Sequence, residues 1–158
     1  MDTFSLNGLE RIVIAHPSLQ RFVIERHERA FKQLLATHGD LRSVTIVGGG
    51  LFPRTALVLD RVLPDAAITI IDEEAGHLDC ARIFLNASAE LRVGRFDSES
   101  ETASDLLVVP LAYQGDRDRL YARPPAPVVL IHDWIWNVRS RGVVVSWLLL
   151  KRLNIATR

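Results

Sequence analysis

The chain predicts an α/β domain built on a single doubly wound, mainly parallel sheet. Three observations carry that expectation. Short β-branched runs alternate with helical patterns along most of the chain. The runs are apolar on both faces, as parallel strands buried between helices are. The first of them ends in a glycine turn that opens a helix. At 158 residues the chain has room for one domain with one core. It divides into an N-terminal helical segment at 1–40, a ligand-binding core at 43–133, and a C-terminal helix with a strand stub at 134–158.

From Ser18 to Ala36 the residues Leu19, Phe22, Val23, Ile24, Phe31, Leu34 and Leu35 recur at three- and four-residue spacing, with charges between them, which predicts an amphipathic helix. Pro17 suits its first turn and His38-Gly39-Asp40 its end. Val44–Val47 is then a buried strand stopping at Gly48-Gly49-Gly50, and Pro53 opens a second helix that Pro64-Asp65 closes. Ala67–Ile71 is the second strand, with Asp72 at its carboxyl end. A helix from Glu74 to Leu85, a weaker strand at Leu91–Phe96, a polar acidic loop at Asp97–Ser104 and a strand at Leu106–Val109 follow. A short helix at Asp116–Ala122, carrying Arg117, Arg119 and Arg123 on a solvated face, precedes a fifth strand at Val128–Ile131.

Composition removes several classes of function. Nineteen basic residues balance nineteen acidic ones, so no net field draws the chain to nucleic acid or an anionic membrane. Apolar runs such as Val128–Ile131 fall far short of a membrane span, and the N-terminus shows no signal-peptide pattern, so a cytoplasmic protein is expected. Cys80 is the single cysteine, and the histidines show no ligand spacing, so neither a disulfide nor a metal site is expected. The two lysines, Lys32 and Lys151, leave little scope for Schiff-base chemistry.

The strand, glycine turn, helix, second strand and acid form the segment with the most chemical content. Glycines let a ligand approach the backbone amides, and an acid at the next strand end accepts hydrogen bonds from ribose hydroxyls. Gly50 and Asp72 are 22 positions apart, close to the spacing such an acid takes. Asp72 taken alone also fits an acid that caps the following helix. Pro53 occupies the third glycine position of a pyrophosphate-binding turn, which disfavours a dinucleotide such as NAD.

On these residues the segment from Val44 to Asp72, with Asp97 after the third strand, resembles the core of the class I S-adenosylmethionine-dependent methyltransferases, a Rossmann-like fold. The run Gly-Gly-Gly-Leu-Phe-Pro-Arg-Thr-Ala at 48–56 is similar to the glycine–proline turn of the nicotianamine-synthase-like branch, whose members transfer an aminocarboxypropyl group from the same cofactor. The resemblance spans roughly Val44 to Asp133 and implies S-adenosylmethionine as cofactor. It sets Gly48 and Gly50 against the methionine part, Asp72 on the ribose hydroxyls, and Phe96 and Asp97 at the adenine, with Gly49, Phe52, Pro53, Glu73 and Pro110 as the further cofactor-binding residues. Val47 stands where the family often has an acid, and Glu73 where it often has an apolar residue.

Ligands in open parallel sheets bind beyond the carboxyl ends of the strands, which makes Tyr113, His132 and Asp133 the catalytic candidates. His132 and Asp133 can share one face only if the strand ends before them; otherwise they are a polar strand end. Trp134 and Trp136 either line an aromatic pocket or seal the sheet, and His27 packs on the apolar side of the first helix. The 27 residues after Ile131 read as a helix over Ser146–Leu153 and a strand stub at Ile155–Arg158, so the terminal strands of the fold are expected to be truncated. A fifth strand near the sheet edge, beside Val143, Val145, Trp147, Leu149 and Leu150, predicts a homodimer.

The expected function is methyl transfer from S-adenosylmethionine to a small molecule. The alternatives are a non-catalytic cofactor-binding or interaction module on the same fold, and a nicotinamide-dependent oxidoreductase.

Overall fold

The computed structural model describes residues 15–48, 52–147 and 150–158. Gly49 and Gly50, and Leu149 of the apolar C-terminal run, lie outside these described residues. The order of elements is α1 (Pro17–Leu35), β1 (Ser43–Val47), α2 (Arg54–Val62), β2 (Ala67–Asp72), α3 (Ala75–Arg82), β3 (Glu90–Val93), β4 (Leu106–Val109), α4 (Arg117–Ala122), β5 (Val128–Trp134), β6 (Gly142–Ser146) and β7 (Lys151–Thr157). The seven strands form one sheet in the order β3-β2-β1-β4-β5-β7-β6. Strands β1 to β5 pair in parallel, and β7 runs antiparallel to both β5 and β6.

Alternation along β5 sorts the core into two layers. Val128 and Leu130 share a cluster with Phe31 and Leu34 of α1, Leu59 of α2 and Leu78 of α3. Val129 and Ile131 point the other way, to Leu120 of α4. Among the described residues three helices thus cover one face, and a helix of six residues with its flanking loops covers the other. At the amino ends of the strands the Asp105 carboxylate accepts from the Arg42 amide and from the Ser43 amide and hydroxyl. Those bonds, the Ser43 hydroxyl first, hold its pKa below the usual carboxylate range and tie the start of β1 to that of β4.

Two expectations are corrected. The C-terminal segment is a β-hairpin, not a helix and stub: β7 inserts between β5 and β6, so the sheet is complete. Val145, Leu153 and Ile155 alternate inward, which serves a period of two, while the apolar run before Lys151 mimics a helical stripe. Between the two strands the Leu150 amide donates to the Trp147 carbonyl, and Leu150 takes a left-handed φ of 52°. Because β7 covers β5, the unpaired fifth strand invoked for a homodimer is absent. Arg117 is the second correction. Instead of lying on a solvated face, its guanidinium donates to the carbonyls of Pro110, Leu111 and His132.

Leu153 is fully buried at the centre of β7, so Leu153→Ala is expected to lower stability by about 2–5 kcal/mol in urea unfolding. A change below about 0.5 kcal/mol would mean that the C-terminal hairpin is peripheral to the core.

Candidate functional site

The sheet order reverses direction between β1 and β4, and a crevice opens above the carboxyl ends of the strands at such a point. The registers Val47 with Ile71, Ile46 with Val108 and Val109 with Ile131, each continued by one or two residues, set Asp72, Gly48, Pro110 and His132 in one row across the sheet. Neighbouring strands lie about 4.8 Å apart, so the row is roughly 14 Å long. A cleft of about 970 Å³ lies above it.

Gly48 sits at the centre of the row with φ +77°, a left-handed conformation that ends β1 sharply. Its amide donates to the Ile71 carbonyl at 2.7 Å, and a Cβ added to it would meet Pro110 Cγ at 3.3 Å. The floor of the cleft is therefore backbone at this point, with no side chain to hold a ligand off. Pro53 and Phe52, both buried, line the cleft beside α2, and Phe52 is anchored edge-on against Phe84 at 5.3 Å.

Asp72 is buried at the end of β2. Its Oδ1 accepts from the Glu74 amide at 2.9 Å, and its Oδ2 lies 3.4 Å from Nδ1 of His77 in the first turn of α3. It therefore shapes the entry to the helix and lines the cleft at once. Glu73 is exposed and pairs with Arg95 at 3.4 Å. Farther along the rim, the rings of Phe96 and Tyr113 face each other with centroids 6.0 Å apart. Asp97 is exposed and accepts from the Glu99 amide and the Ser100 hydroxyl, closing the loop after β3.

The catalytic pair is split. Strand β5 continues to Trp134, so His132 and Asp133 point to opposite faces. His132 lines the cleft and packs on α1, with its ring 5.7 Å from that of His27 and 6.2 Å from that of Phe31. Asp133, buried on the far face and outside the cleft lining, accepts from the Tyr121 hydroxyl at 2.9 Å and the Asn137 side-chain amide at 2.7 Å. Burial, and then the Asp133 charge, push the Tyr121 pKa up to about 12, so the phenol stays a donor. Asp133 is thus a structural acid, not a partner of His132 in catalysis. Trp134 and Trp136 stack on each other at 5.4 Å, also outside the cleft lining.

His132 is a weak base in this setting. Burial holds its pKa well below the ordinary value, and repulsion from His27 when that ring is protonated, and from Lys151, Arg54 and Arg117, acts in the same direction. His27 is lowered to about 3, by burial and then by Arg54. Its Nδ1 donates to the Val23 carbonyl at 2.8 Å, which leaves its Nε2 without a proton. Nε2 of His132 is enclosed and meets no hydrogen-bond partner.

Arg54, His77, Lys151 and Gly115 are among the cleft-lining residues that a reading of the sequence alone does not assign to the site. Pro53 at the helix start places Arg54 in its first turn, and His77 follows from Asp72 once α3 begins at Ala75. Lys151 carries a signal only once its segment is read as a strand. Tyr113 folds over Gly115, where an added Cβ would overlap the ring, and that contact has no local sequence signature.

No family model matches the chain, and no curated protein matches it in sequence. Solved structures do match it. The plantazolicin methyltransferase BpumL in complex with SAH aligns at 18% identity with a TM-score of 0.52, over 73% of this chain and 48% of that one. A mutant of MtNAS, from the nicotianamine synthase branch, in complex with S-adenosylmethionine aligns at 13% identity with a TM-score of 0.62, over 85% and 62%. The fold is that of the class I S-adenosylmethionine-dependent methyltransferases. A fibrillarin/Nop5p complex shares it at 12% identity with a TM-score of 0.57, over 84% and 82%. The chain spans about half the length of the plantazolicin methyltransferase it matches. Among the described residues no helix of this methyltransferase fold is long and apolar enough to cross a membrane.

Two outcomes follow. Both buried histidines are held neutral in the folded state, whereas in the unfolded chain they titrate near 6.5, so the unfolded state gains protons as pH falls. Stability is expected to be full above about pH 7 and to drop by about 2–3 kcal/mol in urea unfolding at pH 5.5, with His27→Asn removing roughly half of that slope. A flat profile over this window would contradict a neutral buried pair. Arg117→Lys is expected to cost about 2 kcal/mol, because a single ammonium cannot span three carbonyls; equal stability of the two proteins would show that the fork is dispensable.

Proposed function

We propose that this protein binds S-adenosylmethionine above the row Asp72–Gly48–Pro110 and transfers its methyl group to a small molecule. The observation that carries the reading is the left-handed Gly48 level with the buried carboxylate of Asp72, over a cleft of about 970 Å³ at the switch point of this fold. The residues fit the group. A carboxylate has about four lone-pair sites, so Asp72 can hold the Glu74 turn and also receive ribose hydroxyls. Gly48 leaves room beside Pro110 for a ligand to lie against backbone, and Phe96 with Tyr113 offers an aromatic wall for adenine.

When bound, the sulfonium supplies an electrophilic methyl carbon, whose bond to sulfur breaks as the acceptor's lone pair forms a new one. The protein's share is positioning. Orientation of two reactants at near-attack distance is worth several kcal/mol without any proton transfer. Tyr113 and His132 line the cleft on the acceptor side and act by orienting the nucleophile. A nucleophile that sheds a proton gives it to water, because His132 is too weak a base to hold it near neutral pH.

Isothermal titration with S-adenosylhomocysteine tests this, with NAD alongside. Micromolar binding is expected for the first and none for the second. Asp72→Ala is expected to weaken it roughly 10- to 100-fold through loss of charge-assisted hydrogen bonds, and Asp72→Asn, which keeps an acceptor for the Glu74 amide, by a similar amount. Unchanged affinity in both variants, or equal binding of NAD, would remove the cofactor assignment.

A further inference from the structure

Two loops wall the cleft on the α4 face of the sheet. The one after β3 carries Phe96 and the one after β4 carries Tyr113, and both side chains line the cleft. Strands β3 and β4 are three positions apart in the sheet, roughly 14 Å at the usual spacing. The two rings nevertheless come to 6.0 Å between centroids, tilted by 60°. The loops therefore lean toward each other across the ends of β2 and β1, and both rings pack on the second core layer. A planar group seated between two rings needs about 7 Å, two contacts of about 3.5 Å. Phe96 and Tyr113 thus make one continuous wall, not a slot.

The loop that carries Tyr113 is held on both sides of the ring. Before it, the Tyr113 amide donates to the Pro110 carbonyl at 3.2 Å, and the Arg117 guanidinium donates to the carbonyls of Pro110 and Leu111. After it, Asp116 caps α4 by accepting from the Arg119 amide at 3.1 Å. Between these anchors the phenol folds back over Gly115, where an added Cβ would overlap both the hydroxyl and the ring. The φ of Gly115 lies outside the left-handed region that Gly48 occupies, so the backbone itself would accept alanine. Space for the Tyr113 ring, not chain geometry, calls for glycine here.

We propose that Gly115 is a positioning residue of the cofactor site: having no side chain, it seats the Tyr113 phenol, and the seated ring completes with Phe96 the wall on which the base of the cofactor stacks. This rests on the cofactor-binding reading above, which puts adenine at that wall. Because the loop is anchored at Pro110 and at Asp116, a methyl group at position 115 is met by the free end of the Tyr113 side chain and not by a shift of the backbone. The ring swings away, the wall opens, and the core beneath stays packed. Stacking of a base on an aromatic ring is strong enough for its loss to show in affinity.

The test compares the full wild-type chain with Gly115→Ala, Tyr113→Ala and the double variant by isothermal titration with S-adenosylhomocysteine. Gly76→Ala, whose added Cβ meets nothing within 4 Å, serves as the control and is expected to bind as the wild type does. Gly115→Ala and Tyr113→Ala are each expected to weaken binding roughly tenfold. The double variant is expected to lose no more than Tyr113→Ala alone, because without the ring the methyl group has nothing to displace. In the unliganded protein, the nuclear Overhauser contact between the Phe96 and Tyr113 rings is expected in the wild type and lost in Gly115→Ala, with the urea midpoint unchanged. A ring contact that survives in Gly115→Ala, an affinity unchanged despite its loss, or additive losses in the double variant overturns the proposal. So does a Gly115→Ala protein that unfolds where the double variant folds, since the ring would then belong to the core and not to a movable wall. Absence of binding by the folded wild-type protein sinks the cofactor reading and this assignment with it, whereas wild-type binding that Gly115→Ala leaves intact sinks this assignment alone.

Discussion

The parallel register of β2, β1, β4 and β5 is the constraint on which the site depends. Parallel strands present all their carboxyl ends at one edge, and here four residues from four distant parts of the chain, Asp72, Gly48, Pro110 and His132, end level with one another. A slip of one residue in any pairing would turn that strand's side chains over and break the row. Burial enforces the register: Ile46, Ile70, Val108 and Leu130 all belong to the core under the helical layer, so their neighbours have no freedom to shift. Strand β7 extends the same discipline to the C-terminus, because its pairing with β5 carries Lys151 to the cleft edge.

Carbonyls at strand ends are the weak point of such an edge, since their ladder partners run out where the ligand must enter. The protein meets this with charge. One guanidinium, that of Arg117, gathers the carbonyls of Pro110, Leu111 and His132 and so fixes the ends of β4 and β5 to the first turn of α4. The same cation adds to the field that keeps His132 neutral, so a structural clamp also sets the chemistry of the neighbouring ring. On the β2 side an acid plays the corresponding part, for Asp72 organises the turn into α3 while facing the cleft. In both places the group that builds the edge also sets its polarity.

Much of this was legible in the sequence because it is local. The β-branched runs apolar on both faces, Pro17 and Pro53 at helix starts, and a glycine turn with Asp72 at the next strand end 22 positions on are each read from short stretches of chain. What escaped is non-local or ambiguous. The role of Arg117 is invisible until β4, β5 and α4 are brought together, and its neighbours Asp116 and Asp118 make the segment look like an ordinary solvated face. The C-terminal hairpin was hidden because Trp147 to Leu150 supplies an apolar run of helical density, while the alternation of Leu153 and Ile155 is too short to outweigh it. The extent of β5 was missed for a related reason. Its apolar signal stops at Ile131, yet β7 goes on pairing with it to Trp134, and those three extra residues divide His132 from Asp133.

That division bears on the kind of chemistry the cleft can perform. A histidine with a carboxylate behind it is a general base; a fully buried histidine whose charged form is disfavoured first by desolvation and then by nearby positive charge is not. Displacement at a sulfonium asks for little acid–base help, since the leaving sulfur departs as a neutral thioether and the barrier yields to alignment. A site with a backbone floor at Gly48, an aromatic wall at Phe96 and Tyr113, and a buried neutral imidazole at His132 supplies alignment instead of proton transfer. The resources the fold places at this edge therefore match a reaction governed by positioning, and the same residues would serve poorly for hydrolysis or any step that needs a strong base.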